Sequence, residues 1–330
     1  MTAPWIARQT EALLAQRGHA WLLQGPSGLG QYELALALVS AWLCEQPTAQ
    51  GACGHCASCH AIGVRTHADL AVLMPETQML ELGWPLSETA QADIDDQKRK
   101  PSKEIRVEAM RDLVEFAQRT DARGRGKAVL VFPAERMNTV TANALLKTLE
   151  EPPGDVRFVL ATEAAHQLLP TIRSRCQTHT LVWPDAAESL AWLTGQGVDA
   201  PVAEALLRSA GGRPDDVLRQ SGAGRMPAWW AALPKAMQQG DASHLSDLTP
   251  AQAIDALQKL CHDLVLRGSG AEPRFFMASQ LPVCQASPMT LSDWFKRLMQ
   301  SARTAEHPFN PGLMLEALAN DAQQALTARS

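Results

Sequence analysis

Basic charge in excess is missing from this chain. Against 30 Lys and Arg stand 35 Asp and Glu, a formal net charge of −5. That excludes a protein holding nucleic acid by bulk charge alone and leaves only local basic patches for such contact. Long apolar runs are missing too, since none approaches the ~20 residues of a membrane-spanning helix. The opening Met1-Thr-Ala-Pro-Trp-Ile6 lacks the basic flank and apolar core of a signal peptide. The expectation is a cytoplasmic chain with no membrane partner. What is present is ordinary for a globular protein: 330 residues, 46% hydrophobic and 20% charged, enough for two domains or three and for a substantial core without covalent staples.

A second absence is local. Gly25-Pro-Ser-Gly-Leu-Gly30 follows a short apolar run, Trp21–Gln24, and opens an apolar-rich helical run, Glu33–Leu43. Strand, Gly-rich turn and helix are the setting of a phosphate-binding loop, G-x-x-x-x-G-K-[ST]. The last two positions fail: Gln31 stands where lysine meets the β/γ-phosphates, and Tyr32 replaces the small hydroxyl that holds Mg²⁺. The strand Lys127–Phe132 reads as central and buried. In a working ATPase of this type it ends in an acidic residue; here Phe132-Pro133-Ala134 takes that place and Glu135 comes late. Two metal-binding halves lost together favour a lost function over a chance resemblance.

Cysteine is scarce except in one place. Of seven, Cys176, Cys261 and Cys284 are scattered, and four are spaced Cys44-x8-Cys53-x2-Cys56-x2-Cys59. In a reducing compartment such a cluster reads as metal ligands rather than disulfides. Four thiolates with no open position make a closed structural zinc site, with His55 and His60 as nearby substitutes. Free thiols or a redox Cys-x-x-Cys pair are the alternatives.

Elsewhere the patterns predict helices at 10–18 and 104–120 and a third within Met137–Pro153, capped by Thr139 or Thr141 and stopped by the proline pair, with strands at 69–74, 156–161 and 178–182. Residues 76–103 read as a long, partly disordered loop with a solvated basic triplet, Lys98-Arg99-Lys100. Asp121–Gly126 reads as a flexible basic turn. After Trp183-Pro184, short helical patterns at 185–194, 202–210 and 214–220 lead to a flexible joint at Gly222-Ala-Gly224. Longer helical patterns follow around 226–239, 250–267, 289–304 and 311–328.

One set of blocks is highly specific. Asn143-Ala-Leu-Leu-Lys147-Thr-Leu-Glu150-Glu151-Pro-Pro, followed by Thr171-Ile-Arg-Ser-Arg175-Cys176, resembles the clamp-loader branch of the AAA+ superfamily. The four-cysteine module behind the phosphate loop is similar to that of bacterial polymerase III loader subunits. The resemblance covers residues 1 to about 220 by motif, and the damaged phosphate loop points to the non-hydrolysing members.

The resemblance implies an α/β fold: an AAA+ P-loop-type parallel sheet with flanking helices and a zinc module over 1–183, a small helical lid over 184–223, and an all-α collar over 224–330. It implies that Arg175 is an arginine finger acting in trans on a neighbour's ATP, with Arg173 a lesser competitor. Thr162 falls at the position of a γ-phosphate sensor. In Ser209–Asp216, Pro214 rather than Arg213 falls where active members carry the second sensor arginine. Gly25, Gly30, Gln31 and Tyr32 become a vestigial loop with no nucleotide bound by this chain. Cys44, Cys53, Cys56 and Cys59 become the structural zinc ligands. The implied partners are gamma or tau and delta subunits in a hetero-pentamer, a sliding clamp, and primer-template DNA in the assembled particle, with any DNA contact shared through patches such as Arg123, Arg125 and Lys127. On this reading the chain is no enzyme by itself but a non-catalytic subunit of a DNA polymerase holoenzyme. The alternative is an active AAA+ ATPase, helicase- or recombination-motor-like, with an atypical P-loop.

Overall fold

A computed structural model describes residues 2–222, 227–305, 307 and 310–328. The chain divides into two compact units, Met1–Glu188 and Ser189–Ser330. The first is α/β. Its elements are α1 (Pro4–Leu14), β1 (Ala20–Gln24), α2 (Gln31–Leu43), α3 (Ala57–Gly63), β2 (Leu70–Leu73), α4 (Glu76–Glu81), α5 (Glu88–Asp95), α6 (Val107–Gln118), β3 (Lys127–Val131), α7 (Thr139–Glu150), β4 (Val156–Thr162), α8 (Pro170–Arg173) and β5 (Gln177–Thr180). The strands form one parallel sheet in the order β2-β3-β4-β1-β5. Parallel sheets are covered on both faces, which is why β3 is buried at every position. Phe158, Leu160, Val129 and Val131 pack on one face against Met110, Leu113, Leu145 and Leu149 of α6 and α7.

The second unit is helical among its described residues: α9 (Ala186–Gly195, entering from the first unit), α10 (Ala200–Ser209), α11 (Pro214–Gly222), α12 (Pro227–Gln239), α13 (Pro250–Gly268), α14 (Pro288–Ala302) and α15 (Pro311–Thr327). Trp230, stacked on Phe276 at 4.9 Å, and fully buried Trp294 anchor its larger core. Cys261 is buried in the same core, with Cys284 packed beside it. Of the expected joint at Gly222–Gly224, Gly222 closes α11, while residues 223 and 224 lie outside the described residues. No helix among the described residues is long and apolar enough to cross a membrane.

Three local expectations are corrected. The first helix starts at Pro4, whose fixed φ and missing N–H suit a helix start, and ends at Leu14, short of Gly18. Helix α7 is capped by neither threonine: Asn138 accepts the Thr141 N–H, and the Thr141 hydroxyl donates to the Ile105 carbonyl. Residues 76–103 are not a disordered loop. They hold α4 and α5 and are organised around Glu76, whose carboxylate takes two hydrogen bonds from Arg99 (2.5 and 2.8 Å), one from the Ser102 N–H (2.8 Å) and an ion pair with Arg106 (3.4 Å). Arg99, read as part of a solvated triplet, is therefore structural. A polar segment without an apolar face can order itself around one buried, fully partnered charge, and hydropathy patterns carry no sign of that.

Burial alone would raise the Glu76 carboxyl, but Arg99, the Ser102 N–H and Arg106 outweigh it and hold it below the usual carboxylate range. A carboxyl depressed on folding contributes stability above its unfolded pKa and loses it as pH falls through the lowered folded value. Glu76→Gln should cost about 2–3 kcal/mol near neutral pH, less than the full penalty of a broken buried pair because Arg99 stays partly solvated. Thermal melts should show that deficit shrinking as the buffer is taken below the carboxylate range; a deficit unchanged with pH would rule out the ionic origin.

A plugged phosphate loop, a four-cysteine cluster and an edge arginine

The loop Gly25–Gly30 leaves the C-terminal end of β1 beside β4, with the Gly25 N–H bonded to the Thr162 carbonyl at 3.3 Å. Gly28 (φ 82°) and Gly30 (φ 92°) occupy left-handed conformations that only glycine adopts freely, so the turn keeps its architecture. Its interior chemistry has changed. Gln31 is buried, and its amide donates to the Gly25 and Pro26 carbonyls at 2.8 and 2.6 Å. Where lysine would project a cation toward phosphate, a neutral side chain is folded back onto the loop itself.

Tyr32 completes the change. Its ring packs on Phe132 at a centroid distance of 5.6 Å, and its hydroxyl accepts from Trp84 Nε1 at 2.8 Å. Arg65 lies 4.6 Å over the Trp84 ring. Tyr32, in the first turn of α2, thus joins Phe132, just after β3, to Trp84, and burial pushes its phenol up. Glu135, the late carboxylate, is engaged: Thr162 Oγ1 donates to it at 2.7 Å and the Glu163 N–H at 3.1 Å. Thr162 and the first carboxylate after β3 thus satisfy each other. In the second unit, Pro214 is the first residue of α11, and Arg213 is held by the Ala210 carbonyl and Asp216 at 2.8 and 2.9 Å.

The sequence points to Tyr32 and Phe132 but not to Trp84 or Arg65. A tryptophan set between Gly83 and Pro85 in an otherwise polar stretch is the signal that was there to be read. Burying an indole N–H without a partner costs free energy, and the Tyr32 hydroxyl accepts the one on Trp84.

The cysteine cluster closes as its spacing predicts. Cys44, Cys53, Cys56 and Cys59 place their sulfurs within 4.8 Å of one another, with Cys44–Cys56, Cys53–Cys59 and Cys59–Cys44 at 3.8, 3.9 and 3.7 Å. Those separations are nearly twice a disulfide bond. They match the edge of a tetrahedron with metal–sulfur bonds of ~2.3 Å, which is about 3.8 Å. The N–H groups of Cys53 and Cys59 point at the sulfurs of Cys44 and Cys56, at 3.3 and 3.4 Å. At Cys56 burial opposes thiolate formation, yet backbone N–H groups and the neighbouring thiols bring the group down to about 6. The donor set fits a soft divalent cation, and neither His55 nor His60 belongs to it.

Arg175 lies between α8 and β5, the strand at one edge of the sheet. Its guanidinium contacts Glu150 at 2.9 and 3.2 Å and the Thr171 carbonyl at 3.0 Å. Its side chain is 29% exposed and that of Glu150 59%. The adjacent Cys176 turns inward, where burial pushes its thiol up to about 12. Arg173 is exposed.

The sequence profile described as DNA polymerase III, delta subunit, matches residues 7–184, from the first helix to the end of the sheet. The chain belongs to that family. DNA polymerase III subunit delta' of Pseudomonas aeruginosa is 41% identical over 212 residues, covering 64% of this chain and 58% of that protein. The Escherichia coli K12 subunit of the same name is 36% identical over 196 residues, 58% of this chain and 52% of its own length. The chain therefore matches little more than half the length of these relatives. Among solved structures, a DNA polymerase III gamma subunit-related protein from Thermotoga maritima superposes with a TM-score of 0.50 at 16% identity, over 97% of this chain and 99% of its own. At that identity the likeness is one of fold. Within the delta-subunit family, the loop, cluster and arginine all fall inside the matched span.

Proposed function

We propose that this chain is a non-hydrolysing delta-prime subunit of a polymerase III clamp loader, which presents Arg175 to the ATP bound by a neighbouring subunit. The observation that carries the reading is the pairing of a plugged site with an available arginine. Tyr32, Phe132 and Trp84 fill the place of the metal, while Arg175 stands at the sheet edge with a single exposed carboxylate partner. A guanidinium is always charged and bridges phosphate oxygens, so one pointed at another subunit's γ-phosphate stabilises charge as the phosphoryl group leaves. Thr162 has no phosphate to sense on this reading and serves to lock Glu135.

The proposed partners are gamma or tau and delta subunits, forming a hetero-pentamer that places a sliding clamp on primed DNA in the cytoplasm. Three domains follow from the same reading. Leu193, Leu206, Leu207 and Val217 form a core of their own, separate from that around Leu257 and Trp294, which supports a small lid ahead of a collar. Met289, Phe295 and Met299 expose apolar surface on α14, a candidate joining surface for the collar. The cysteine cluster is proposed to hold structural Zn²⁺. The metal would supply no chemistry beyond fixing residues 44–59 and, through α3, the position of Arg65 over Trp84. Reassembly with the ATP-hydrolysing subunits tests the central role: the wild-type chain should raise their turnover and Arg175→Ala should not. Equal turnover with both overturns it.

A further inference from the structure

Three arginines converge on the end of the sheet opposite the phosphate loop. Arg17 lies in the turn after α1, Arg125 precedes β3, and Arg157 is the second residue of β4. Together with Trp21 and Trp42 they line a cavity of about 630 Å³. Strand β1 has five residues, so at ~3.3 Å each roughly 15 Å separates this cavity from the plugged loop.

The arrangement is fixed by the backbone. The Lys127 N–H bonds the Asp155 carbonyl at 2.8 Å, and Lys127 pairs in register with Val156. Gly126, at φ 71°, approaches Asp155 so closely that a Cβ would lie 2.5 Å from its carbonyl oxygen. The start of β3, two residues after Arg125, is thereby fixed against the start of β4, which carries Arg157 opposite Ala128. Arg17 is held from the other flank, where Gln177 Nε2 donates to its carbonyl at 2.8 Å.

Of Arg123, Arg125 and Lys127, Arg123 is spent on Glu45 at 2.8 Å, and Lys127 is buried with its Nζ on the Phe116 carbonyl and ring. Arg125 is the one left. Among the described residues neither Arg17 nor Arg125 forms an ion pair, and Arg157 reaches Asp155 only at 3.5 Å. Glu11 is the single carboxylate in the lining. Three guanidinium groups around one cavity repel one another unless an anion sits between them, and their planar forks match phosphate oxygens. Half-buried Trp42, with Arg157 5.9 Å from its ring, gives the same cavity an apolar wall of the kind on which bases rest. The volume falls within the ~300–1,000 Å³ of small-ligand sites.

We infer that this cavity binds the phosphate of a nucleotide, either free or as one unit of a single strand. The inference is independent of the role of Arg175. The test uses the full chain with two probes, dTMP by calorimetry and a labelled ten-residue oligothymidylate by anisotropy, between 50 and 200 mM salt. A strand touching all three arginines should show a slope of log K on log salt of about −2, since each contact on single strands contributes about −0.7. The double change Arg125→Gln with Arg157→Gln should bring the slope to about −0.7 and weaken binding about tenfold or more. Binding of dTMP as tight as that of the oligonucleotide identifies a free nucleotide as the ligand, and tighter oligonucleotide binding a strand. No binding of either probe overturns the inference. So does equal weakening by Lys98→Gln with Lys100→Gln, which removes the same charge elsewhere.

Discussion

A loader reassembled with the Arg175→Ala chain should lose ATP turnover at the facing site by ~10³-fold or more, the range arginine fingers supply in other nucleoside triphosphatases. Steady-state turnover of the particle falls less if its other sites run independently, so single-turnover measurements are the sharper readout. The chain itself should fold as before, because the ion pair of Arg175 with Glu150 is largely exposed and such pairs contribute about 0–1 kcal/mol. Lysine should not restore the rate, since a point charge cannot bridge two phosphate oxygens as the planar fork does. Glu150→Ala separates a finger from a structural arginine. It removes the carboxylate that competes with phosphate and leaves turnover intact or raised, whereas a merely structural arginine would lose its partner and its effect together.

The second large effect is expected from the cysteine cluster. The purified chain should carry one zinc ion, and replacing Cys44 and Cys56 with serine should abolish it. Both sulfurs are buried, and loss of a structural metal removes folding free energy outright. With about 3–5 kcal/mol lost, a domain of this size should melt about 10 °C lower. The damage should travel. Helix α3 begins at its Cys56 cap and ends just before Arg65, which lies on Trp84, so metal loss should also expose the Trp84 and Tyr32 pair to a solvent quencher. A stable, metal-free wild-type chain would remove the structural role.

The contrast between residues read correctly and those missed has a physical basis. The strands were legible because buried parallel strands are continuous apolar runs, as in Ala128–Val131, and the cysteines because ligand spacing is local. The damaged loop was legible for the same reason: Gln31 and Tyr32 sit at fixed offsets from Gly25 and Gly30. What packs against Tyr32 was not. Trp84 reaches Tyr32 across 52 residues, and Glu76 collects Arg99 and Ser102 from more than 20 residues away. Long-range polar pairings leave no period in the sequence, so residues 76–103 read as a loop although they hold two helices and bring Trp84 to Tyr32. Glu150 was visible as part of a motif, but its contact with Arg175 needed the fold.

The central claim is that this chain has given up its own nucleotide and acts on another's. It is tested most directly by titrating ATP with Mg²⁺ into the purified chain alone, by calorimetry or with a fluorescent analogue. The filled pocket predicts no binding at the loop up to millimolar ATP and no phosphate release. Any weak signal should survive Gln31→Ala and disappear with the Arg125→Gln and Arg157→Gln pair. Micromolar binding with turnover by the isolated chain, sensitive to changes in Gly25–Tyr32, would contradict the account and restore the reading of an ATPase with an atypical loop.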